Sequence, residues 1–326
     1  MNFKKILRYI LTLAVVFAAV YFFYVQFKKN ADAISAYNFS VNLNYIFIAF
    51  IVVFFALLSG PLVWRIYVND YLHKKLSIFE GFALYCTSTM FKYVPGKIWT
   101  YAAQIALMSS KEISNAVLIY INLVCFICLA FVAAMYTLFY YLFCLQILPW
   151  GISVLIFCLL IILDSIFIIW NNAIINYMIV PINRMFKIEI QPIETKRIIF
   201  IYTHIIYSFA YFLLGIGMYL LAKGINMDIP LANIFAIMAT ISVAAIAGYL
   251  AFFSIGGLGV REGAMFFMLK QFSNIETALI LPVAARLSIT IVELFMVIVA
   301  IFIGVKYGYF PKLTKNLQKE VVNDVN

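Results

Sequence analysis

The sequence predicts an all-α polytopic membrane protein, with six full crossings and two broken, re-entrant helical hairpins in an inverted repeat (eight spans if the hairpin helices are counted). Three observations predict it. Of 326 residues, 66% are hydrophobic and only 11% are charged, with a mean hydropathy of +1.05. A water-soluble surface cannot be built from that composition. Several apolar runs approach the ~20 residues needed to cross bilayer hydrocarbon. Two more are interrupted by glycine beside basic residues, at "FKYVPGKIWTY" (91–101) and "FSIGGLGVREGAMFF" (253–267).

Each element follows in order. Lys4, Lys5 and Arg8 precede an apolar run from Ile10 to Val25. Ala31-Asp-Ala33 loosely resembles a leader-cleavage site, but a leader usually carries only ~7–15 apolar residues. The run therefore reads as an uncleaved first crossing, 6–27. Further crossings are expected at 44–66, 113–143, 151–176, 198–222 and 277–304, all helical because lipid cannot satisfy backbone groups. The broken stretches are 77–108 and 231–272. Joints between segments are short, apart from a modest loop at 181–197. The chain thus reads as one membrane domain (1–326), with repeats at 6–143 and 151–304 and a cytoplasmic tail at 305–326.

Charge placement supports that layout. If each broken stretch returns to the face it entered, one face collects Lys4, Lys5, Arg8, Arg65, Lys74, Lys75, Lys111, Arg184, Lys187, Lys196, Arg197, Lys306, Lys312, Lys315 and Lys319. The other face gets Lys28, Lys29 and Lys223. Fifteen against three is the bias expected of cytoplasmic loops. It predicts a cytoplasmic-membrane protein with both termini in the cytoplasm, and it explains the net charge of +10 without nucleic acid. Three crossings per repeat would turn the second half over relative to the first, a plan common in transporters. The two halves also match in layout. From Gly96 to Ala116 is 20 positions and from Gly257 to Ala278 is 21, each with a short helix and a polar joint between.

The breaks are the candidate site. Pro95 lacks an N–H and disfavours helix at Val94, while Gly96, Gly256, Gly257 and Gly259 permit turns and close approach. Each break starts a new helix, whose free N–H groups and dipole favour an anion. Lys92 and Lys97 flank the first start, and Arg261 lies in the first turn of the second. Arg286 and Glu293 are seven apart in the final crossing, on one face and about 10 Å from each other. A carboxylate as deep as Glu293 needs an interior partner, for which Arg261 or Lys97 is expected. Lys92 and Lys97 merely anchoring a shallow hairpin, and Arg261 and Glu262 forming a self-satisfied pair, remain open readings.

Elsewhere, Asp164 is deep and is either a structural hydrogen-bond partner or functional. His204 reads as a packed polar residue, His73 as a loop residue and Glu80 as a helix cap. Cys86, Cys125, Cys128, Cys144 and Cys158 all fall in apolar stretches. The C-x-x-C at 125–128 has no second pair or nearby histidine and reads as helix packing. No Asp-x-Asp pair, Gly-x-Ser-x-Gly, P-loop or phosphatase signature is present. No cofactor, metal or catalytic residue is therefore expected.

"VPGKIW", "GGLGVREGAMFFML" and the following Arg286 resemble the flippase-like family that includes the transmembrane region of lysylphosphatidylglycerol synthase, also called the multiple peptide resistance factor. The resemblance covers about 6–304 and is sharpest at Gly256, Gly257, Gly259, Arg261 and Glu262. Trp99 stands where many relatives have glycine, and no proline precedes Gly256, so Trp99 is expected to line or narrow the pocket. The resemblance implies a membrane domain that moves a lipid head group between leaflets. With the sequence ending at Asn326, the family's soluble aminoacyl-transferase domain is expected to be missing. Stand-alone members are similar to proteins associated with surface-polysaccharide or lipid-linked glycan production. The expected partner is an anionic phospholipid or polyprenyl-phosphate-linked glycan among the membrane lipids. The alternative is an integral membrane transferase using Glu262, Glu293 and Asp164 as acid–base groups on a lipid-linked sugar.

Overall fold

The computed structural model describes residues 21, 24–25, 28, 40–93, 98–109, 113–186, 194–251 and 254–308. Most of the expected first crossing, all of 309–326, and Pro95, Gly96 and Lys97 lie outside them. Among the described residues there is no strand. Helix α1 (Leu43–Leu57) begins at Asn42, whose side chain accepts from the amides of Asn44 and Tyr45. It runs through Leu58 into α2 (Ser59–Tyr71), so that Leu43–Tyr71 is one apolar span. Helix α3 (Ile78–Thr89) starts at a capping box. The Glu80 amide donates to Ser77 Oγ at 3.1 Å, and the Ser77 amide donates to Glu80 Oε2 at 2.9 Å. Glu80 is thus the cap its sequence position suggests. A tight turn, Met90–Tyr93, ends this limb, and α4 (Ile98–Met108) follows the break.

The chain continues from there. Helix α5 (Asn115–Phe139) continues into a wider turn, Tyr140–Cys144, and α6 (Trp150–Phe186) and α7 (Arg197–Gly224) come next. Then come α8 (Ile234–Leu250), a turn at Ile255–Gly257, α9 (Val260–Leu269) and α10 (Ile275–Lys306). Five of the expected crossings are present as long apolar helices. The sixth helix of crossing length is Leu231–Leu250, the first limb of the second broken stretch. The limbs of the first broken stretch have 12 and 11 residues, too short to cross. The two hairpins are therefore unequal in depth.

The packing pairs correspond between halves. Helix α1 packs on α7; α3 packs on α10, as α8 does on α5; and α2 packs on α3, as α7 does on α8. Lipid offers no hydrophobic drive between helices, so close approach through small residues supplies much of the contact. A Cβ on Gly217 of α7 would sit 2.8 Å from Val53 Cγ2 of α1. One on Gly224 would sit 2.6 Å from Ile46 Cγ1, and one on Gly215 would sit 2.5 Å from Met238 Cγ of α8. Helix α6 is the exception, since only 11% of its spanning window is buried. Helix α10 contains Pro282, buried within its third turn.

Replacing Gly217 with leucine should lower the thermal midpoint in detergent by the equivalent of about 1–3 kcal/mol of overpacking. Gly151→Leu, where nothing lies within 4 Å of the added carbon, should leave it nearly unchanged.

Candidate functional site

The two breaks meet. A Cβ on Gly256 would lie 3.4 Å from the Tyr93 ring and 3.2 Å from Arg286 Nη2, so the tip of the second hairpin presses against the end of the first. Only glycine fits that tip, because Gly256, Gly257 and Gly259 have φ of +57°, +78° and +81°. Pro95 and Gly96, the first break itself, are outside the described residues, but Lys92 and Tyr93 just before it are in contact with α10.

Helix α10 ties both tips. Glu293 Oε1 pairs with Lys92 Nζ at 2.5 Å, and Oε2 accepts from the Tyr93 hydroxyl at 2.6 Å. Seven residues earlier, Arg286 Nη2 donates to the Gly256 carbonyl at 3.1 Å. Its Nε lies 3.5 Å from Glu262 Oε1. Among the described residues the partners of Glu293 are therefore Lys92 and Tyr93, not Arg261, while Lys97 lies outside them. The face of α10 that carries Glu293 packs on α3 and its terminal turn.

Glu262 does not pair with Arg261 either. Neighbouring residues on a helix point about 100° apart, so consecutive side chains do not face each other. Glu262 instead turns back to its own helix start, where Oε2 accepts from the Gly259 amide at 2.6 Å. Arg261 runs through a slot cut by glycine. A Cβ on Gly248 would sit 2.1 Å from Arg261 Nε, and one on Gly257 would sit 2.9 Å from it. The guanidinium lies over the Tyr249 ring, 5.3 Å from its centre, a cation–π contact. No carboxylate lies within ion-pair distance of Arg261 among the described residues.

Three buried polar atoms here have no hydrogen-bond partner among the described residues: Arg261 Nε, Arg286 Nε and Glu262 Oε1. The Arg286–Glu262 contact is thus an ion pair without a formed hydrogen bond. Buried donors without acceptors are costly, and they mark a place suited to a further polar group. A cavity of about 20 Å³ lies between Thr89, Lys92, Tyr93 and Glu293. Bounded by the end of the first hairpin and α10, it has room for about one water, not a head group.

The structure thus brings Lys92, Gly256, Gly257, Gly259, Arg261, Glu262, Arg286 and Glu293 into one cluster. Trp99 is half exposed on α4, rather than buried with this cluster. Sequence reasoning missed Tyr93, Gly248 and Tyr249. The signal for the last two is "AIAGYL", a lone glycine followed by tyrosine at the end of a bulky limb.

Two other polar groupings stand apart. Asp70 pairs with Lys196 Nζ at 3.3 Å, and beside it Thr195 contacts the hydroxyls of Tyr71 and Tyr120. Tyr120 donates to Asn171 of α6 at 2.8 Å, and Asn172 exchanges two hydrogen bonds of 3.1 Å with the backbone of Thr195. Deeper in, Asp164 of α6 meets His204 of α7 at 3.1 Å. Among the described residues, no three His, Cys, Asp or Glu side chains gather as metal ligands.

No curated protein matches the chain. The family model described as the lysylphosphatidylglycerol synthase TM region matches residues 9–303, a stretch that includes both breaks and the helix that ties them. The chain belongs to the lysylphosphatidylglycerol synthase transmembrane-region family.

Proposed function

We propose that this protein is a lipid translocase, moving a phosphate-bearing lipid or lipid-linked saccharide across the cytoplasmic membrane. The carrying observation is the pair of guanidinium donors, Arg261 Nε and Arg286 Nε, buried without acceptors among the described residues where the two tips meet. The cluster holds three cations (Lys92, Arg261, Arg286) and two carboxylates (Glu262, Glu293), leaving a surplus of one positive charge. A phosphate oxyanion supplies both the charge and the acceptors, and a guanidinium fork matches its geometry. Lys97, in the break itself, would add to the surplus.

The translocation path follows from the matched packing of the two halves, read as an inverted repeat. With both termini in the cytoplasm, the first hairpin enters from the cytoplasmic face and the second from the opposite face. An anion held between their tips is then reachable from either leaflet as one tip or the other withdraws. Glu293 and Glu262 hold the cations while the site is closed, so an arriving phosphate competes with them. Anionic phospholipids and polyprenyl-phosphate-linked glycans both fit this chemistry, and the latter would serve cell-envelope or surface-polysaccharide production. Transferase chemistry gains no support from Glu262, whose carboxylate is committed to Gly259 and Arg286.

In proteoliposomes, the protein should speed leaflet exchange of a fluorescent phosphatidylglycerol. Arg261→Ala, alone or with Lys97→Ala, should slow it about tenfold or more, the worth of one charge-assisted hydrogen bond. Unchanged exchange in a folded Arg261→Ala protein removes the cationic-site mechanism. Gly248→Val should have a comparable effect without altering any charge, because its Cβ would take the space of Arg261 Nε. The transferase alternative wins instead if product forms from a lipid-linked sugar donor and Glu262→Gln abolishes it.

A further inference from the structure

Asp164 is a carboxylate on the least buried of the described helices of crossing length. It lies 14 residues after the start of the Trp150–Ile174 span and 10 before its end, at least about 15 Å from either. Its side chain is nonetheless buried, against α7. There His204 Nε2 sits 3.1 Å from Asp164 Oδ1, and Nδ1 of the same ring sits 2.7 Å from the Phe200 carbonyl oxygen.

These two contacts fix a proton count. A carbonyl oxygen has only lone pairs, so Nδ1 carries a hydrogen. Were Nε2 bare and Asp164 ionised, two lone pairs would face each other beside an uncompensated charge. One hydrogen therefore lies between Nε2 and Oδ1, and the pair is neutral whichever atom holds it. Uptake of a second proton leaves a lone cation in hydrocarbon, and loss of the first leaves a lone anion. Both are expensive there, and both weaken the contact that draws α6 to α7. The nearest ionisable neighbour is Cys128 on α5, and beyond it lie Tyr67 on α2, Cys125 on α5 and Tyr207 on α7. Neither cation nor second carboxylate lies within ion-pair distance among the described residues.

A route leads toward the pair from one end of the bundle. The tier of Thr195, Tyr71, Tyr120 and Asn171 begins beside the exposed Lys196 and runs inward. Asn171 is seven residues from Asp164 on the same face of α6, about 10 Å away. Its Nδ2 is buried with no protein partner. Between Asn171 and Asp164, Phe200 meets Phe167 at 6.0 Å and Tyr67 at 5.7 Å, edge to face. A polar tier ending at an aromatic layer, with a neutral proton-holding pair behind it, is the arrangement of a gated proton site.

We infer that Asp164 and His204 form a proton-binding site, and that proton uptake from water at the Thr195 end, and its return to water, shift α6 relative to α7. Resting on the translocase reading, this links lipid movement at the hairpin tips to a proton. The test uses the full chain in vesicles of phosphatidylethanolamine and phosphatidylglycerol, with fluorescent phosphatidylglycerol as probe. A gradient of two pH units should change wild-type exchange several-fold, within a ceiling of about tenfold per unit. Asp164→Asn and His204→Gln should retain exchange without a gradient and lose the response to one. A wild-type rate indifferent to the gradient, or an Asp164→Asn protein still responding, overturns the proposal. If no exchange occurs at all, the translocase reading fails, and ring-nitrogen NMR of labelled histidine decides the proton site alone. The sequence has two histidines, His73 and His204, so His73→Gln assigns the spectrum. A His204 signal whose pH response vanishes in Asp164→Asn sustains the site, and one that Asp164→Asn leaves unaltered removes it.

Discussion

Charge cannot stay unpaired in hydrocarbon, and in this chain the pairing passes through a single helix. Glu293 and Arg286 stand two turns apart on α10. One binds the end of the first hairpin through Lys92 and Tyr93, and the other binds the tip of the second through Gly256 and Glu262. The limbs of the first hairpin are too short to cross, and both hairpins carry polar groups at their tips that lipid cannot satisfy. Each is held because its polar tip has a partner on α10, and the two tips are brought together because both partners share one face. The convergence and the surplus charge both descend from that arrangement.

Glycine contributes by absence of bulk as well as by backbone freedom. Gly248 and Gly257 together make a channel that the Arg261 side chain fills, so the guanidinium is fixed over Tyr249 without a carboxylate to hold it. An arginine positioned by shape keeps its charge available. One positioned by a salt bridge does not.

Much of this was legible in the sequence. The crossings at 44–66, 113–143, 151–176, 198–222 and 277–304 follow from runs of apolar residues, and the helices at those places agree with each to within a few residues. The capping role of Glu80 is local chemistry, visible as Ser-x-x-Glu. Partner identities were not legible, because they depend on which helix faces which. Charge alone suggests Arg261 for Glu293, whereas α10 presents it to the turn that ends α3 and so to Lys92. The union of Asp164 with His204 was hidden for the same reason, since 40 positions separate them and each looks like an isolated polar residue in a greasy run. The unequal hairpins were missed because glycine marks where a stretch breaks, not how deep each limb goes.

Pro282 lies four residues before Arg286. Lacking an N–H, it leaves the Ala278 carbonyl without its ordinary intrahelical donor, and its ring crowds the turn before it. The strut that ties the two hairpins therefore has its lowest bending stiffness about one turn from its first tie point. Flexure there tilts the segment bearing Arg286 and Glu293 as a unit, so both ties shift in concert while the helix on either side stays intact.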